Sequence, residues 1–338
     1  MNYINEQQTV NNIMNSSDIL NNAGNVDVLR YSVIENSKER SLISYSKPFL
    51  KWAGGKGQLL KEIRKHYPFD NCPVNKYAEP FVGGGAVLFD ILNMYKLEKV
   101  YISDINQILI DTYTVIRDDV FSLIVQLNKL QDEFIPLNTA NRKDYYLSKR
   151  KEFNKIINSK EKILMVERAA LMIFLNKTCF NGLYRVNKKG EFNVPMGAYK
   201  SPLICDIDNL LAVSDKLKNV EINCADYRES SNFIDDKTFV YIDPPYRPLT
   251  KTANFTSYTS TNFDDKEQIE LANFVNDIDL KGAKILISNS DPKNTDKDDN
   301  FFDELYSSRK ILRIDANRMI NSKADNRGRI SELLISNF

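Results

Sequence analysis

"YAEPFVGGGAVLFD", residues 77–90, sets three consecutive glycines between two apolar runs of different texture. Tyr77–Phe81 reads as a short buried strand and "AVLFDILNMY" (86–95) as a helix. A strand that turns through glycine into a helix lets the backbone come close to a ligand and offers it free N–H groups. The next strand, "KVYIS" (99–103), runs into Asp104, where a carboxylate can accept from both hydroxyls of a ribose. The third glycine of the dinucleotide pattern is missing, with Leu88 in its place. The loop therefore points to an adenosine-containing cofactor without separating NAD from S-adenosylmethionine. The alternative is a tight glycine turn that holds no ligand.

Outward from this unit, the chain alternates. "KTFVYID" (237–243), a helix near 264–277, "AKILISNS" (283–290), "RKILRID" (309–315) and "RISELLISNF" (329–338) continue a doubly wound α/β pattern. Residues 107–176 interrupt it and read as mostly helical, with "EKILMVERAALMIFLNK" (161–177) apolar enough for a core helix. "CFNGLYRVNKKGEFNVP" (179–195) then carries Asn-Gly and Lys-Lys-Gly turn signals in short alternating runs, which suggests a hairpin. Residues 1–45 are polar, with eight asparagines among the first 25, and read as a loosely docked tail with room for a short helix near 26–36.

The composition excludes several classes. A net charge of +1 gives no global attraction to an acidic partner, so any basic surface is local. The four cysteines are scattered without a CxxC pair, which argues against a zinc site and fits a reducing cytoplasm. The most apolar run is too short to span a bilayer, and the N-terminus lacks a signal-peptide layout. His66 is the one histidine, so histidine-centred acid–base chemistry is not expected. We expect no metal, no membrane, and a monomer or weak dimer.

The strand Phe239–Ile242 ends on Asp243-Pro244-Pro245-Tyr246. In an open α/β sheet, ligands sit at the carboxyl ends of the strands, so Asp243 faces the cofactor crevice. Pro244 keeps Asp243 extended, and neither proline donates a hydrogen bond. The turn therefore presents acceptors, the Asp243 carboxylate and the Pro244 carbonyl, which suit an exocyclic NH2. Tyr246 adds a face on which a base can stack, worth about 1–3 kcal/mol. Holding both N–H bonds of an aromatic amine against acceptors favours the tetrahedral nitrogen, whose lone pair can attack a methyl sulfonium. Stabilising the charge that develops there is electrostatic preorganisation. Methylation at cytosine C5 would need a cysteine nucleophile, usually after proline, and none of the four cysteines follows one. Cytosine N4 stays open. So does the bland reading, a proline-rich turn that only caps a strand.

"PFLKWAGGK" (48–56), "EPFVGGGAVLFD", "FNGLYRVNKKGEFNVPMGAYK" (180–200), "ADYRE" (225–229), "DPPYRPLTKTANFTSY" (243–258) and "SNS" (288–290) occur together and in order. With them the chain, from about Pro48 onward, resembles the Dam-type DNA adenine-N6 methyltransferases. The resemblance implies a Rossmann-like S-adenosylmethionine-dependent sheet with an inserted helical and β-hairpin DNA-recognition domain. The implied boundaries are a tail over 1–45, catalytic parts over 46–130 and 205–338, and target recognition over 131–204. It implies that Trp52, Lys56, Phe81, Gly83, Gly85, Asp104, Asp226 and Asp243 line the cofactor, with Asp226 meeting its adenine amine. Asp243, Pro244, Pro245 and Tyr246 are the implied catalytic set.

Residues 176–200 hold five basic side chains against one acid, interleaved with aromatics, as a DNA-binding hairpin does; a solvated hairpin is the bland alternative. By resemblance, Phe180 and Asn181 at the tip enter the duplex as a base flips out. Leu183, Arg185, Lys51 and Tyr199 are the implied base contacts. Arg185 suits a bidentate contact with guanine, worth about 1–3 kcal/mol of discrimination. These positions follow the GATC-reading members, with the inner adenine as target in double-stranded DNA. Arg318 and Arg327, in the polar "NRMINSKADNRGRISELL" (317–334), are expected to meet phosphates; a solvated charged loop is the alternative.

Overall fold

Seven apolar runs become the strands of one sheet: β1 (Lys76–Glu79), β2 (Lys99–Asp104), β3 (Val220–Cys224), β4 (Thr238–Ile242), β5 (Lys284–Ser290), β6 (Lys310–Asn317) and β7 (Arg329–Ser336). The computed structural model describes residues 45–159, 161–247, 263–317 and 329–338. The N-terminal tail up to residue 44 with its expected helix, and the loop bearing Arg318 and Arg327, lie outside the described residues. The spatial order is β3-β2-β1-β4-β5-β7-β6. β1 to β5 pair in parallel, and β7 is inserted antiparallel between β5 and β6. The order reverses between β1 and β4, and that is where an open α/β sheet opens a crevice for ligands.

Alternation along the strands divides the core in two. Tyr77, Val100, Ile102, Phe239, Tyr241, Leu286 and Leu334 belong to one buried cluster, while Ala78, Tyr101, Val240, Ile242, Ile285, Ile287, Leu333 and Ile335 belong to the other. Successive side chains of a strand leave opposite faces, so a sheet buried on both faces needs near-continuous apolar runs. The larger cluster takes in helices α1 (Ala86–Met94), α2 (Gln107–Asp118), α3 (Val120–Phe134), α4 (Thr139–Ile156), α5 (Met165–Thr178) and α6 (Ile207–Leu217). The helical insertion thus shares one continuous core with the sheet: Phe134, Tyr146, Phe174 and Phe192 join the same cluster as Tyr77. α7 (Asp265–Leu280) packs in the other cluster through Leu271, Phe274, Val275 and Ile278.

α5 shows why periodicity fails to identify a central helix. Its residues Arg168–Asn176 are all buried, so no polar face survives. Its buried Arg168 is met by Asp111 of α2 and donates 2.6 Å to the Ser159 carbonyl. Among the described residues no helix is long and apolar enough to cross a membrane.

Candidate active site

The glycine loop is shaped by a tryptophan. Gly83 has φ +48°, and a Cβ there would stand 2.9 Å from Cδ1 of Trp52, so only glycine fits under the indole. The Gly83 N–H donates 3.1 Å to Oδ2 of Asp104, and the Asn106 N–H donates 2.9 Å to Oδ1. The Tyr113 hydroxyl donates 3.1 Å to the Gly83 carbonyl. Burial pushes the Asp104 carboxyl above its ordinary value, and these backbone N–H groups oppose the shift.

β3 lies beside β2 with Cys224 opposite Asp104, and the Ala225 N–H donates 3.2 Å to the Asp104 carbonyl. That places Asp226 next in line. Its partly exposed carboxylate accepts 3.0 Å from the Arg228 N–H and pairs with the Arg228 guanidinium. Phe81 stacks on Tyr227 with centroids 5.3 Å apart. Trp52, Phe81, Gly83, Gly85, Asp104 and Asp226 are therefore brought together along the carboxyl edges of β1, β2 and β3. Gly83 and Gly84 stay partly exposed and two carboxylates end adjacent strands, a set that fits an adenosine-bearing cofactor.

Asp243 leaves the buried strand β4 at the switch point, and an ammonium meets it there. Lys56 Nζ stands 2.8 Å from Asp243 Oδ1, donates 2.7 Å to the Tyr246 hydroxyl and 3.1 Å to the Gly54 carbonyl, and lies 4.8 Å from the Tyr246 ring centre. Lys56 is only 3% exposed. Burial alone would lower its pKa; Asp243, first among the opposing groups, carries the net shift upward. Burial pushes Asp243 up, and Lys56 holds it down. The resemblance placed Lys56 toward the cofactor; in the structure its charge is engaged by Asp243 and Tyr246.

Tyr246 is 37% exposed, while its hydroxyl donates to Glu332 of β7, with oxygens at 2.8 and 2.9 Å. Behind the prolines, Gln268 donates 3.2 Å to the Pro245 carbonyl, and Asn289 of β5 donates 3.3 Å to Gln268 Oε1. Arg247 closes the turn, 2.6 Å from Asp299 and over the Phe301 ring. Sequence reasoning missed Glu332, Gln268 and Asn289. A signal existed for Glu332, the single charged residue inside the apolar run "SELLIS". Among the described residues no group of histidine, cysteine, aspartate or glutamate side chains gathers as a metal site.

The DNA-facing candidates adjoin this edge. The hairpin is minimal: single bridges join Val186 to Phe192 and Cys179 to Met196. Its turn lies at Asn187–Gly190, where the Asn187 side chain accepts from the Lys189 and Glu191 N–H groups at 2.9 and 3.0 Å. The expectation of Phe180 and Asn181 at the tip is corrected. They occupy a one-turn 3-10 segment, Phe180–Gly182, at the base of the hairpin where it leaves α5. The Asn-Gly signal made a positive-φ turn (Asn181 +56°, Gly182 +65°), but it redirects the helix exit and does not join two strands. Phe180 is still 53% exposed.

Arg185 is exposed, with its Nε donating 2.7 Å to Asn193, and Leu183 is half-buried. Lys51 Nζ lies 4.6 Å from the Tyr199 ring centre. A Cβ on Gly182 would lie 2.5 Å from the Lys51 side chain, so the helix-exit turn and Lys51 touch. Asn176, the last buried polar residue of α5 before Thr178, explains how. Its side-chain oxygen accepts 2.9 Å from the Lys51 N–H, and its amide donates 2.8 Å to the Lys51 carbonyl and 2.9 Å to the Gly182 carbonyl.

Comparison with known proteins gives a consistent picture. Residues 52–320 match the family profile described as D12 class N6 adenine-specific DNA methyltransferase. The chain is 51% identical over 295 residues to the type II methyltransferase M.MjaIII of Methanocaldococcus jannaschii, covering 86% of this chain and 99% of that protein. It is 37% identical to the type II methyltransferase M1.LlaDCHI of Lactococcus lactis, over 86% of this chain and 95% of the relative. It is 35% identical to the DNA adenine methylase of Escherichia coli, over 86% of this chain and 94% of that one.

Proposed function

The chain belongs to the D12 class of N6 adenine-specific DNA methyltransferases, and from that membership we propose that it uses S-adenosylmethionine to methylate the inner adenine of GATC, flipped out of the duplex into the Asp243–Tyr246 cradle. Adenine-specific methyl transfer to DNA is the activity of the family; donor, site sequence and base flipping are the content of the proposal. One observation carries it. The cradle at the switch point already holds a nitrogen with N–H donors, since Lys56 Nζ sits 2.8 Å from Asp243 and over the Tyr246 ring. An adenine amine offers the same donors to the same carboxylate, with its ring plane on the exposed face of Tyr246.

In this reading Trp52, Phe81, Gly83, Gly85, Asp104 and Asp226 hold the cofactor, which when bound supplies an electrophilic methyl group on a sulfonium. The protein's own residues do the rest. Asp243 accepts from the amine and stabilises the positive charge that grows on nitrogen; that charge is discharged when the nitrogen gives up a proton after the methyl group has moved. Tyr246 fixes the plane of the base. Lys56 occupies one oxygen of Asp243, and the second oxygen and remaining lone pairs of the carboxylate can accept from the amine. Phe180 and Asn181 fill the space that the base leaves; Arg185, Leu183, Lys51 and Tyr199 read the neighbouring pairs. We place the enzyme in the cytoplasm, as a monomer or weak dimer.

The test is direct. Labelled S-adenosylmethionine and GATC duplexes are incubated with the protein, and the methylated nucleoside is identified after digestion. The expected product is N6-methyladenine in GATC alone; equal transfer to a duplex lacking GATC overturns the site assignment. Asp243→Ala is expected to abolish transfer while leaving duplex binding largely intact.

A further inference from the structure

We propose that Glu332 is a positioning residue of the methyl-transfer site, holding the Tyr246 ring in its base-stacking orientation. The inference rests on the cradle described above and adds a residue from the far end of the chain.

Three observations converge on it. First, Glu332 is 6% exposed, and both of its oxygens lie within 2.9 Å of the Tyr246 hydroxyl. A buried carboxylate is costly unless its partners are specific, and here the specific partner is the hydroxyl of the stacking tyrosine. Second, the Tyr246 hydroxyl is fully engaged: it donates to Glu332 and accepts from Lys56 at 2.7 Å. Tyr246 is 37% exposed, so without that anchor its side-chain torsions would be free to swing. Third, Glu332 Oε2 lies 3.9 Å from Lys56 Nζ, just beyond direct hydrogen bonding, while Asp243 holds that ammonium at 2.8 Å. The ammonium that pairs with Asp243 thus also offsets the burial of the Glu332 carboxylate from where it stands.

The topology explains why Glu332 is available. β7 is the strand that runs against the others, so its beginning, not its end, arrives at the carboxyl edge of β4 and β5. Glu332 pairs in register with Ser290 at the end of β5 and with Ile314 of β6, held on both sides by ladder hydrogen bonds. The neighbouring Ser331 is pinned further, its N–H donating 2.8 Å to Asn294 and its carbonyl accepting 2.6 Å from the same side chain. A rigid strand is a better mount for an anchor than the turn after Asp243 is for itself.

The experiment compares Glu332→Gln, Glu332→Ala, Tyr246→Phe and the double variant Glu332→Ala/Tyr246→Phe with the parent enzyme. It measures kcat, the Kd for S-adenosylmethionine, and the fluorescence of a duplex with 2-aminopurine at the target position. Expected is a loss in kcat of ~10-fold or more for Glu332→Ala, the size of one charge-assisted hydrogen bond, with a smaller loss for Glu332→Gln. Cofactor affinity stays within about twofold. The double variant loses no more than Tyr246→Phe alone, because both act through one contact. The 2-aminopurine signal on binding rises in the variants, since a flipped base held less firmly against the Tyr246 ring is less quenched by stacking. The proposal is overturned by Glu332→Ala with parental kcat, by losses that multiply in the double variant, or by a parallel loss of cofactor affinity. Should Glu332→Ala fail to fold, Tyr246→Phe and Glu332→Gln test the same contact from its two ends. Asp243→Ala separates the layers. If it still transfers methyl groups, the cradle reading fails; if it is inactive while the Glu332 and Tyr246 variants behave as the parent, only the role of Glu332 falls.

Discussion

Glu79 and Asp243 end adjacent parallel strands, but one has a lysine for company and the other a phenol. Glu79 is 2% exposed and accepts 2.7 Å from the Tyr77 hydroxyl; burial pushes its carboxyl well above the ordinary value of 4.5, and the nearby Asp243 charge adds to the rise. Between 4.5 and that raised value the folded protein keeps a proton that the unfolded chain has lost. Stability from this residue is therefore greatest at low pH and declines as pH climbs through the window. We predict that Glu79→Gln, which cannot ionise, gains stability relative to the parent as pH rises. Thermal melts from pH ~5 to ~8 check this, and melting curves that shift in parallel for the two proteins would count against it. Single residues of this kind were only half legible in the sequence. Glu79 stood visibly as a charge inside the short strand before the glycine loop, whereas Glu332 is separated from Tyr246 by 86 positions and no local pattern links them.

At the scale of elements, α5 does the joining. Its Asn176 fastens the backbone of Lys51 from both sides and the turn at Gly182 from a third, so two segments 125 residues apart in one case and six in the other share one amide. Asn176→Ala leaves a Lys51 N–H and two carbonyls without that partner, at an expected cost of at least about 2 kcal/mol. Denaturant titration measures the cost, and discrimination between GATC and single-mismatch duplexes should relax alongside it. Full discrimination in a destabilised protein would show that the amide is only a staple of the core. The strands and helices of the sheet were legible because burial on both faces demands unbroken apolar runs, as in Thr238–Ile242, which is buried throughout. The position of Phe180 was not, because an Asn-Gly pair specifies positive φ without specifying whether the turn closes a hairpin or ends a helix. Nor was the continuity of the helical insertion with the sheet: Tyr77 and Phe174 lie in one cluster, and only packing shows that.

For the molecule as a whole, a net charge of +1 over 338 residues means that attraction to DNA must come from local asymmetry. Arg185, Lys188 and Lys189 stand exposed on the hairpin, and Lys51 stands exposed beside its base. If about four such cations displace counterions, the affinity for a GATC duplex should fall with a log–log salt slope of roughly −3 to −4. Binding that is flat in salt would place the contacts elsewhere. The six residues Lys51–Lys56 bear on this assembly in another way. Lys51 lies against the hairpin base and Tyr199, Trp52 covers Gly83 and stacks on Tyr184 at 5.5 Å, and Lys56 ends on Asp243. The parts proposed for recognition, cofactor and catalysis are thus threaded by one hexapeptide that belongs to none of them alone. Anyone exchanging specificity between relatives by transplanting residues 179–200 would import a hairpin without the strip that mates it to its host. The unit to move is the pair, because the strip that the hairpin packs on lies outside the hairpin's own borders in the chain.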